Sequence, residues 1–469
     1  MLCFALRRGD LARKPIWCSK FTPYLVLLIE KWGKGKYYRG KLSDWLWINP
    51  TTDISFLQEN DIVSFFPMEV VKENAAGAEF RQVAFSEVAQ GYTRFAEDDL
   101  IWAKITPCMQ NGKSTVTRGL NLGVGFGSTE FHVLRSKNDA VNIDFIKNLL
   151  NLDVLLTAAQ ASFSGTAGQQ RVPDQFLADL PLLLPPISIQ KTLVSEIEAA
   201  RKTKQAKLAE VEELIDINEF VLGELGLLID QENHSKTFAV RFGSLTNRFD
   251  VDYYTPRFRK LREQIKHTKH NLLTVENVLS QPLISGFAAG PSDQTDDAQF
   301  GIPHIRPFNI TPTGEFSLEK IKYVPAEIVK GEDVLQGGEV LFNNTNSTEW
   351  VGKSTVFDSE QQCVCSNHIT RLKINPKIAN PYFVAALFNT LRSLGLFGLL
   401  ATNFNNQAGV NNETLLALQI PVPNAKIQEK IVSEIQHRRA KANQLRIEAN
   451  QIWETAKTNF EKKLIEGDI

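Results

Sequence analysis

Apolar and polar residues along this chain follow two periods, and the change from one to the other occurs twice. "DLIWAKI", "STVTRGL" and "FHVLRS" in the first half, and "EVLFNN", "STVFDS" and "HITRLKI" in the second, read as short strands between Gly, Asn and Pro turns. A helical pattern follows each set, over Ile143–Gln160 and Pro381–Leu400. A longer helical tail then closes each half. From Ser188 to about Gly223 no Pro or Gly intervenes, and Ile189, Leu193, Ile197, Leu208, Val211 and Ile215 recur at helical steps. In the second tail Ile427, Ile431 and Ile435 lead into Ala442, Ala449 and Ala456, spaced by seven, as are Leu445 and Ile452. That is an a/d seam with small residues that let helices approach closely. Arg201 and Lys204 interrupt the first seam where apolar residues are expected.

The two halves are copies of one plan. "IQKTLVSEI" (Ile189–Ile197) and "IQEKIVSEI" (Ile427–Ile435) share six of nine residues at an offset of 238. A proline-rich stretch precedes each, "LPLLLPPIS" and "IPVPNAK". Upstream, "SGTAGQQRV" faces "NNQAGVNN", "GFGSTEFHVLR" faces "CVCSNHITRLK", and "DDLIWAKI" faces "GGEVLFNN", in the same order and at nearly constant offset. "NGKST" and "VGKST" recur 240 positions apart as part of this repeat. A phosphate loop needs a glycine five residues before its GK. Pro107 and Ser347 stand there, so both read as turns between strands.

Composition narrows the field. The 469 residues suggest two to four domains. With 43% hydrophobic and 22% charged residues they suit a folded protein, and a net charge of −1 excludes a uniformly basic nucleic-acid binder. Residues 1–41 hold ten Lys/Arg against Asp10 and Glu30, which reads as an arm for phosphates or as a solvated terminus. The five cysteines form no CxxC pair, and Cys363 and Cys365 read as buried free thiols of a reducing cytosol. "YLVLLI" is too short to span a bilayer, which takes about 20 residues, and Arg7-Arg8 follow "MLCFAL" on the wrong side for a signal peptide. The location expected is cytoplasmic. No histidine pair has metal-ligand spacing, so no metal is expected. "NPYF" (Asn380–Phe383) lacks the second proline of an adenine-methyltransferase loop and opens a helix, and "GVGFGS" (Gly123–Ser128) precedes a strand. Both read as structural.

The fold class expected is α+β: two similar α/β heads separated by two long antiparallel coiled-coil helices, in pseudo-twofold relation. A helix of about 35 residues is roughly 50 Å long and cannot bury its stripe alone, so pairing the tails is the simplest solution. Two similar heads on a stiff spacer suit duplex DNA with two half-sites. Candidate base- or phosphate-contacting residues are the Asn, Gln, Lys, Arg and Ser/Thr of corresponding loops. In the first half they are Lys104, Thr106, Gln110, Asn111, Lys113, Ser128, Thr129, Gln169, Gln170 and Arg171. In the second they are Arg306, Asn309, Asn343, Asn344, Asn346, Lys353, Asn367, His368, Asn405, Asn406 and Asn411. A two-headed protein–protein scaffold is the alternative.

"VSFFPMEVV", "DLIWAKITPCMQNGK", "GFGSTEFHVLR", "LPLLLPPISIQKTLVSEI" and "NRFDVDYYTPRF" resemble the target-recognition domains and following helix of the specificity subunits of type I restriction-modification systems. The repeated P-x-x-x-Q-x-x-I-V-x-x-I pattern is the most specific part; the second copy has one extra residue before Gln428. The resemblance covers roughly residues 45–469; residues 1–44 do not share it. It implies target-recognition domains at 1–187 and 231–424, a central conserved helix at 188–230 and a C-terminal one at 425–469. It implies a non-catalytic reader of a bipartite DNA site, with helices that set the number of unread base pairs. The apolar residues of both tails, Ile189 to Ile215 and Ile427 to Ile452 as named above, would dock two methyltransferase subunits. Those subunits would carry S-adenosylmethionine, and endonuclease/translocase subunits would use ATP and Mg; no cofactor is expected on this chain.

Overall fold

The computed structural model describes Trp32 and residues 35–165, 169–227, 237–244, 251–404 and 407–467. Most of the basic N-terminal stretch, with Cys3 and Cys18, lies outside the described residues. The chain falls into two compact units, residues 1–208 with 446–469, and residues 209–445. Each is α+β. No described helix is long and apolar enough to cross a membrane.

The first unit contains strands β1 (Tyr38–Lys41), β2 (Leu46–Ile48), β3 (Ile62–Phe66), β4 (Arg81–Ala84), β5 (Thr93–Ala96), β6 (Leu100–Ala103), β7 (Ser114–Val116), β8 (Val124–Gly127), β9 (Phe131–Ser136) and β10 (Pro181–Leu183). An antiparallel sheet has the order β2-β9-β6-β7. A second sheet has the order β4-β3-β8-β5, with β3 and β8 parallel. β1 and β10 pair separately.

The second unit contains β11 (Asn271–Thr274), β12 (Ile284–Ser285), β13 (Ile302–Ile305), β14 (Lys322–Val324), β15 (Val340–Asn343), β16 (Thr345–Asn346), β17 (Ser354–Val356), β18 (Val364–Cys365), β19 (Ile369–Leu372), β20 (Thr402–Phe404), β21 (Gln407–Gly409) and β22 (Gln419–Val422). Its main sheet, β12-β19-β15-β17, is again antiparallel, and β14-β13-β18 again contains one parallel pair, β13 with β18. The register repeats too. Leu100 faces Leu134 and Val116 in the first unit, and Val340 faces Leu372 and Val356 in the second. The strands read from the sequence are those of the two main sheets. β3 and β13 were not marked by alternation, because "IVSFF" is largely buried along its length and "IPHI" carries a proline.

The helices used below are α1 (Ile143–Leu150), α2 (Asp153–Ala161), α3 (Ile187–Ile215), α4 (Asn218–Leu225), α5 (Pro381–Ser393), α6 (Leu396–Leu400) and α7 (Ala425–Glu466). Three helical patterns that read as continuous are broken. α1 stops at Asn151, α5 at Leu394 before Gly395 with φ 82°, and α3 at Asp216, whose carboxylate accepts from the Asn218 N–H at 3.1 Å. Helix α3 begins at Ile187, so Ser188 lies in its first turn rather than capping it.

The root of each tail helix is fixed by one buried glutamine. Gln190 Oε1 accepts from the Asn142 N–H at 2.8 Å, and its Nε2 donates to the carbonyls of Ala140 (2.8 Å) and Pro185 (2.7 Å). Gln428 Oε1 accepts from the Asn380 N–H at 2.7 Å, and its Nε2 donates to Ile378 (3.3 Å) and Pro423 (2.8 Å). Asn142 and Asn380 in turn cap α1 and α5, accepting from the N–H of Asp144 and Tyr382. Thus the repeated Q of the motif ties the start of one helix to the cap of another.

Both α3 and α7 contribute to each unit. Within the first unit they run antiparallel: Lys463 bonds Glu196 at 2.7 Å, and Lys207 bonds Glu448 at 2.6 Å. The interruption at Arg201 is filled by stacking, with its guanidinium 5.0 Å from the Trp453 ring and Nη2 bonded to Asn148 Oδ1 at 2.7 Å. Within the second unit Val211 packs with Ala442 and Leu445, and Lys441 bonds Glu210 at 2.7 Å. Leu193 and Ile197 enter the first core, where Phe460 stacks on Phe145 at 5.6 Å. Ile431, Val432 and Ile435 enter the second, beside Phe383 and Phe388.

Two predictions follow from these contacts. Gln190→Ala or Gln428→Ala strands three buried backbone groups, and each is expected to cost about 2–4 kcal/mol in urea denaturation; a loss under ~0.5 kcal/mol would contradict the locking role. Glu198 lies against Arg201, Lys147 and Asn148. Burial alone would raise its carboxyl, but the Arg201 hydrogen bond and the Lys147 charge hold it at about 2, below the ordinary 4.5. The unfolded chain therefore takes up this proton first, and stability present above pH ~4.5 is lost as pH falls toward ~2. In Glu198→Gln, melting against pH should lose that part of the slope.

Candidate nucleic-acid interface

The two GKST turns belong to the frame of each unit. Gly112 and Gly352 have φ of 65° and 92°. A side chain at Gly352 would collide with the Phe397 ring, so glycine is required there on both counts. Lys113 Nζ donates to the Met68 carbonyl at 3.1 Å, and Lys353 Nζ donates to Pro307 (2.9 Å) and Ile310 (2.7 Å). Burial, with help from the Arg392 charge, pushes the Lys353 amine down to about 8. Asn151 Nδ2 bonds Ser114 Oγ at 2.8 Å, and Asn389 Nδ2 bonds the Ser354 carbonyl at 2.6 Å. These lysines serve carbonyls rather than a phosphate cradle.

One rim of each unit is built differently. In the first, the segment after β6 lies between the segment before β9 and residues 169–172. The Lys104 N–H bonds the Glu130 carbonyl (2.9 Å), the Val172 N–H bonds the Lys104 carbonyl (2.9 Å), and the Thr106 N–H bonds the Gln170 carbonyl (3.0 Å). This ladder gathers Lys104, Thr106, Ser128, Thr129, Gln169, Gln170 and Arg171. Arg171 grips Glu130 with two bonds, Nε at 2.8 Å and Nη2 at 2.7 Å, and its Nη1 donates to the Gln169 carbonyl at 2.9 Å. The Arg171 hydrogen bonds hold the Glu130 carboxyl below the usual range, with the Lys104 charge adding to them.

The second unit repeats the ladder. The Asn344 N–H bonds the His368 carbonyl (3.0 Å), the Val410 N–H bonds the Asn344 carbonyl (2.9 Å), and Asn346 pairs with Ala408 across β16 and β21. Asn344 Nδ2 bonds the Asn367 carbonyl (3.1 Å) and Thr370 Oγ1 (3.0 Å). Asn367, His368, Asn403 and Gln407 are exposed, and Phe404 is 47% exposed beside Gly409. Asn346, half-buried, accepts from the Ser347 N–H.

Other sequence candidates sit elsewhere. Asn309 and Asn343 have no exposed surface. Asn309 accepts from the Arg306 N–H and donates to the carbonyls of Ser317 and Glu319; Asn343 donates to the Trp350 carbonyl. Together with Lys353 and Lys113, they hold backbone in place. Arg306 bonds the Lys320 carbonyl, Gln110 has its Oε1 buried, and Asn111 donates to Glu73 at 2.7 Å. Asn411 caps the short helix after β21, accepting from the Thr414 N–H. Asn405 and Asn406 lie outside the described residues.

The apolar residues assigned to partner docking are corrected by their burial. Leu193, Ile197, Val211, Ile431, Ile435 and Leu445 are 0–8% exposed. Ile189 joins the first core, Ile427 the second, and Ile215 packs beside Val211. Leu208 and Ile452 are half-buried. The stripe serves intrachain packing, leaving the polar faces of α3 and α7 for other contacts.

Glu130, Asn403, Phe404 and Gln407 were passed over in the sequence. Their signal was positional, since each lies on or beside a repeated ladder. Cys363 and Cys365 are buried free thiols, pushed up by burial to about 11 and about 12. Among the described residues no His/Cys/Asp/Glu group is arranged to hold a metal.

Frame and rim should separate in a stability measurement. Asn309→Ala is expected to cost about 1–3 kcal/mol by leaving backbone groups unpaired. Asn403→Ala, on the exposed rim, should stay within about 0.5 kcal/mol of the parent. Equal costs in urea titrations would refute the division.

Comparison with known proteins fits this geometry. Residues 294–450 match the family model described as type I restriction modification DNA specificity domain. The chain is similar to the specificity subunit of the Escherichia coli type I restriction enzyme EcoAI, 30% identical over 44% of this chain and 35% of that subunit. It is also similar to the EcoEI specificity subunit of the same organism, 35% identical over 33% of this chain and 26% of that subunit. The aligned stretches thus span about a third or less of those relatives. A chain from a solved structure of a type I R-M system, described by its complex assembly and conformational transition, shares the fold, with a TM-score of 0.54 at 15% identity over 92% of this chain and 99% of that one. The similarity thus lies over residues 294–450 for the DNA specificity domain model, and over part of the length of specificity subunits of type I restriction enzymes.

Proposed function

We propose that this chain is the DNA sequence-recognition subunit of a type I restriction-modification complex, reading a bipartite site with one rim per unit. The observation that carries it is a repeated frame with divergent rims. Asp99 and Glu339 make the same turn bond, to the N–H of Ala96 and Gln336, and Gln190 matches Gln428, Asn151 matches Asn389 and Lys113 matches Lys353. Around that constant frame the rims carry different hydrogen-bonding side chains, Lys104, Gln170 and Arg171 against Asn344, Asn367 and His368. Such a difference suits two different half-sites, because base edges are read by side-chain donors and acceptors.

In this reading residues 1–187 and 231–424 are target-recognition domains, and the helices from 188–230 and 425–469 join them and receive two methyltransferase subunits on their polar faces. S-adenosylmethionine is carried by those subunits, and ATP and Mg by endonuclease/translocase subunits. This chain contributes recognition rather than catalysis, in the cytoplasm. A near-neutral reader has little bulk electrostatic help, so the partners supply much of the phosphate contact.

Selection from random duplex DNA with the full complex is expected to return two short motifs separated by an unread spacer of constant length. A single unbroken motif, or no enrichment, would reject the proposal.

A further inference from the structure

Equivalent ladder positions pair residue by residue. The Lys104 N–H reaches the Glu130 carbonyl as the Asn344 N–H reaches that of His368, and the Val172 N–H reaches Lys104 as the Val410 N–H reaches Asn344. Hence Lys104, Glu130 and Arg171 of the first unit occupy the places of Asn344, His368 and Gly409 in the second. The backbone is the same, so neither the fold nor the ladder demands the ionic trio. In the second unit the place of Arg171 is taken by a glycine under the Phe404 ring.

Arg171 is arranged for a particular task. Glu130 takes Nε and one Nη2 donor, and the Gln169 carbonyl takes one Nη1 donor, which fixes the plane of the guanidinium. Of its five N–H groups, one on each terminal nitrogen has no partner among the described residues. The side chain stays 41% exposed. A flanking carboxylate offsets the charge and repels phosphates and other carboxylates, so a simple phosphate contact is disfavoured. What suits two fixed donors beside an acid is a neutral pair of acceptors, and the O6/N7 edge of guanine in the major groove provides it.

Resting on the proposed function, we infer that Arg171 is a specificity-determining residue that reads a guanine in one half-site, and that Glu130 is the positioning residue that sets its fork. The second unit lacks both at the matching places, so its half-site has no guanine requirement of this origin.

The test is selection from random duplex DNA with the full chain in complex with its methyltransferase subunits, comparing parent, Arg171→Ala, Arg171→Lys and Glu130→Gln. Arg171→Ala and Arg171→Lys should each lose preference for guanine at one position of one half-site, on the order of ten- to hundredfold. The other half-site should stay intact, which also shows that the variants fold. Glu130→Gln should weaken the same preference without changing the salt dependence of binding. Unchanged base preferences in the arginine variants would overturn the inference while leaving the bipartite reading in place. So would uniform weakening at all positions, the mark of a phosphate contact. Failure of the parent complex to select any bipartite site would instead remove the proposed function itself.

Discussion

The structure depends on how each long helix is rooted. A helix start leaves N–H groups without internal partners, and a proline-rich approach removes still more donors. Here the chain enters α3 through Pro185-Pro186 and approaches α7 through Pro423. One buried amide resolves the problem in each unit, because Gln is both donor and acceptor and reaches three backbone groups at once. No shorter or purely charged side chain provides that combination. The amide also ties the tail helix to Asn142 or Asn380, the caps of the helices that cover the main sheets. The direction in which a tail leaves its unit is therefore set by a hydrogen-bonded knot and not by apolar contact alone.

Along the tails, residue size decides what fits. Ala442 and Ala449 are fully buried, and small residues there allow close helix approach. Where the seam meets the first core it changes character. Arg201 is 6% exposed, yet stacking on Trp453 and bonding to Asn148 and Glu198 compensate its burial. A buried cation with such a set of partners specifies register more strongly than another leucine would, since a slip by one turn would strand it.

The repeat was legible because the frame constrains residue identity. GKST, the Q of the tail motif and the strand pattern all recur for reasons now visible: a positive-φ turn, a three-way amide and a buried sheet. The candidate site was legible only in part, and for the same cause. Asn and Lys in a turn look alike whether they face inward or outward. Asn309, Asn343 and Lys353 were grouped with Asn344 and Asn367 by residue type, yet the first three satisfy buried carbonyls and the others border an exposed rim. The apolar stripe of the tails gave the helices but not their partners, because a stripe that packs on its own core has the same period as one offered to a second chain. Helix breaks at Asn151, Gly395 and Asp216 were hidden by apolar runs that continue across them.

Division into frame and rim has a chemical consequence for how such a protein diversifies. Frame residues such as Gln190, Gln428, Asn309 and Lys353 each satisfy two or more backbone groups, so replacing them leaves orphaned groups and costs stability. The rim ladders themselves are made by main-chain bonds that are indifferent to side chain: the Lys104 and Asn344 ladders have matching partners at matching distances. The same backbone thus carries an ionic Lys-Glu-Arg set in one unit and Asn-His-Gly in the other. Side chains can change there at little cost to the ladder, and the two units of this chain are two outcomes of that freedom.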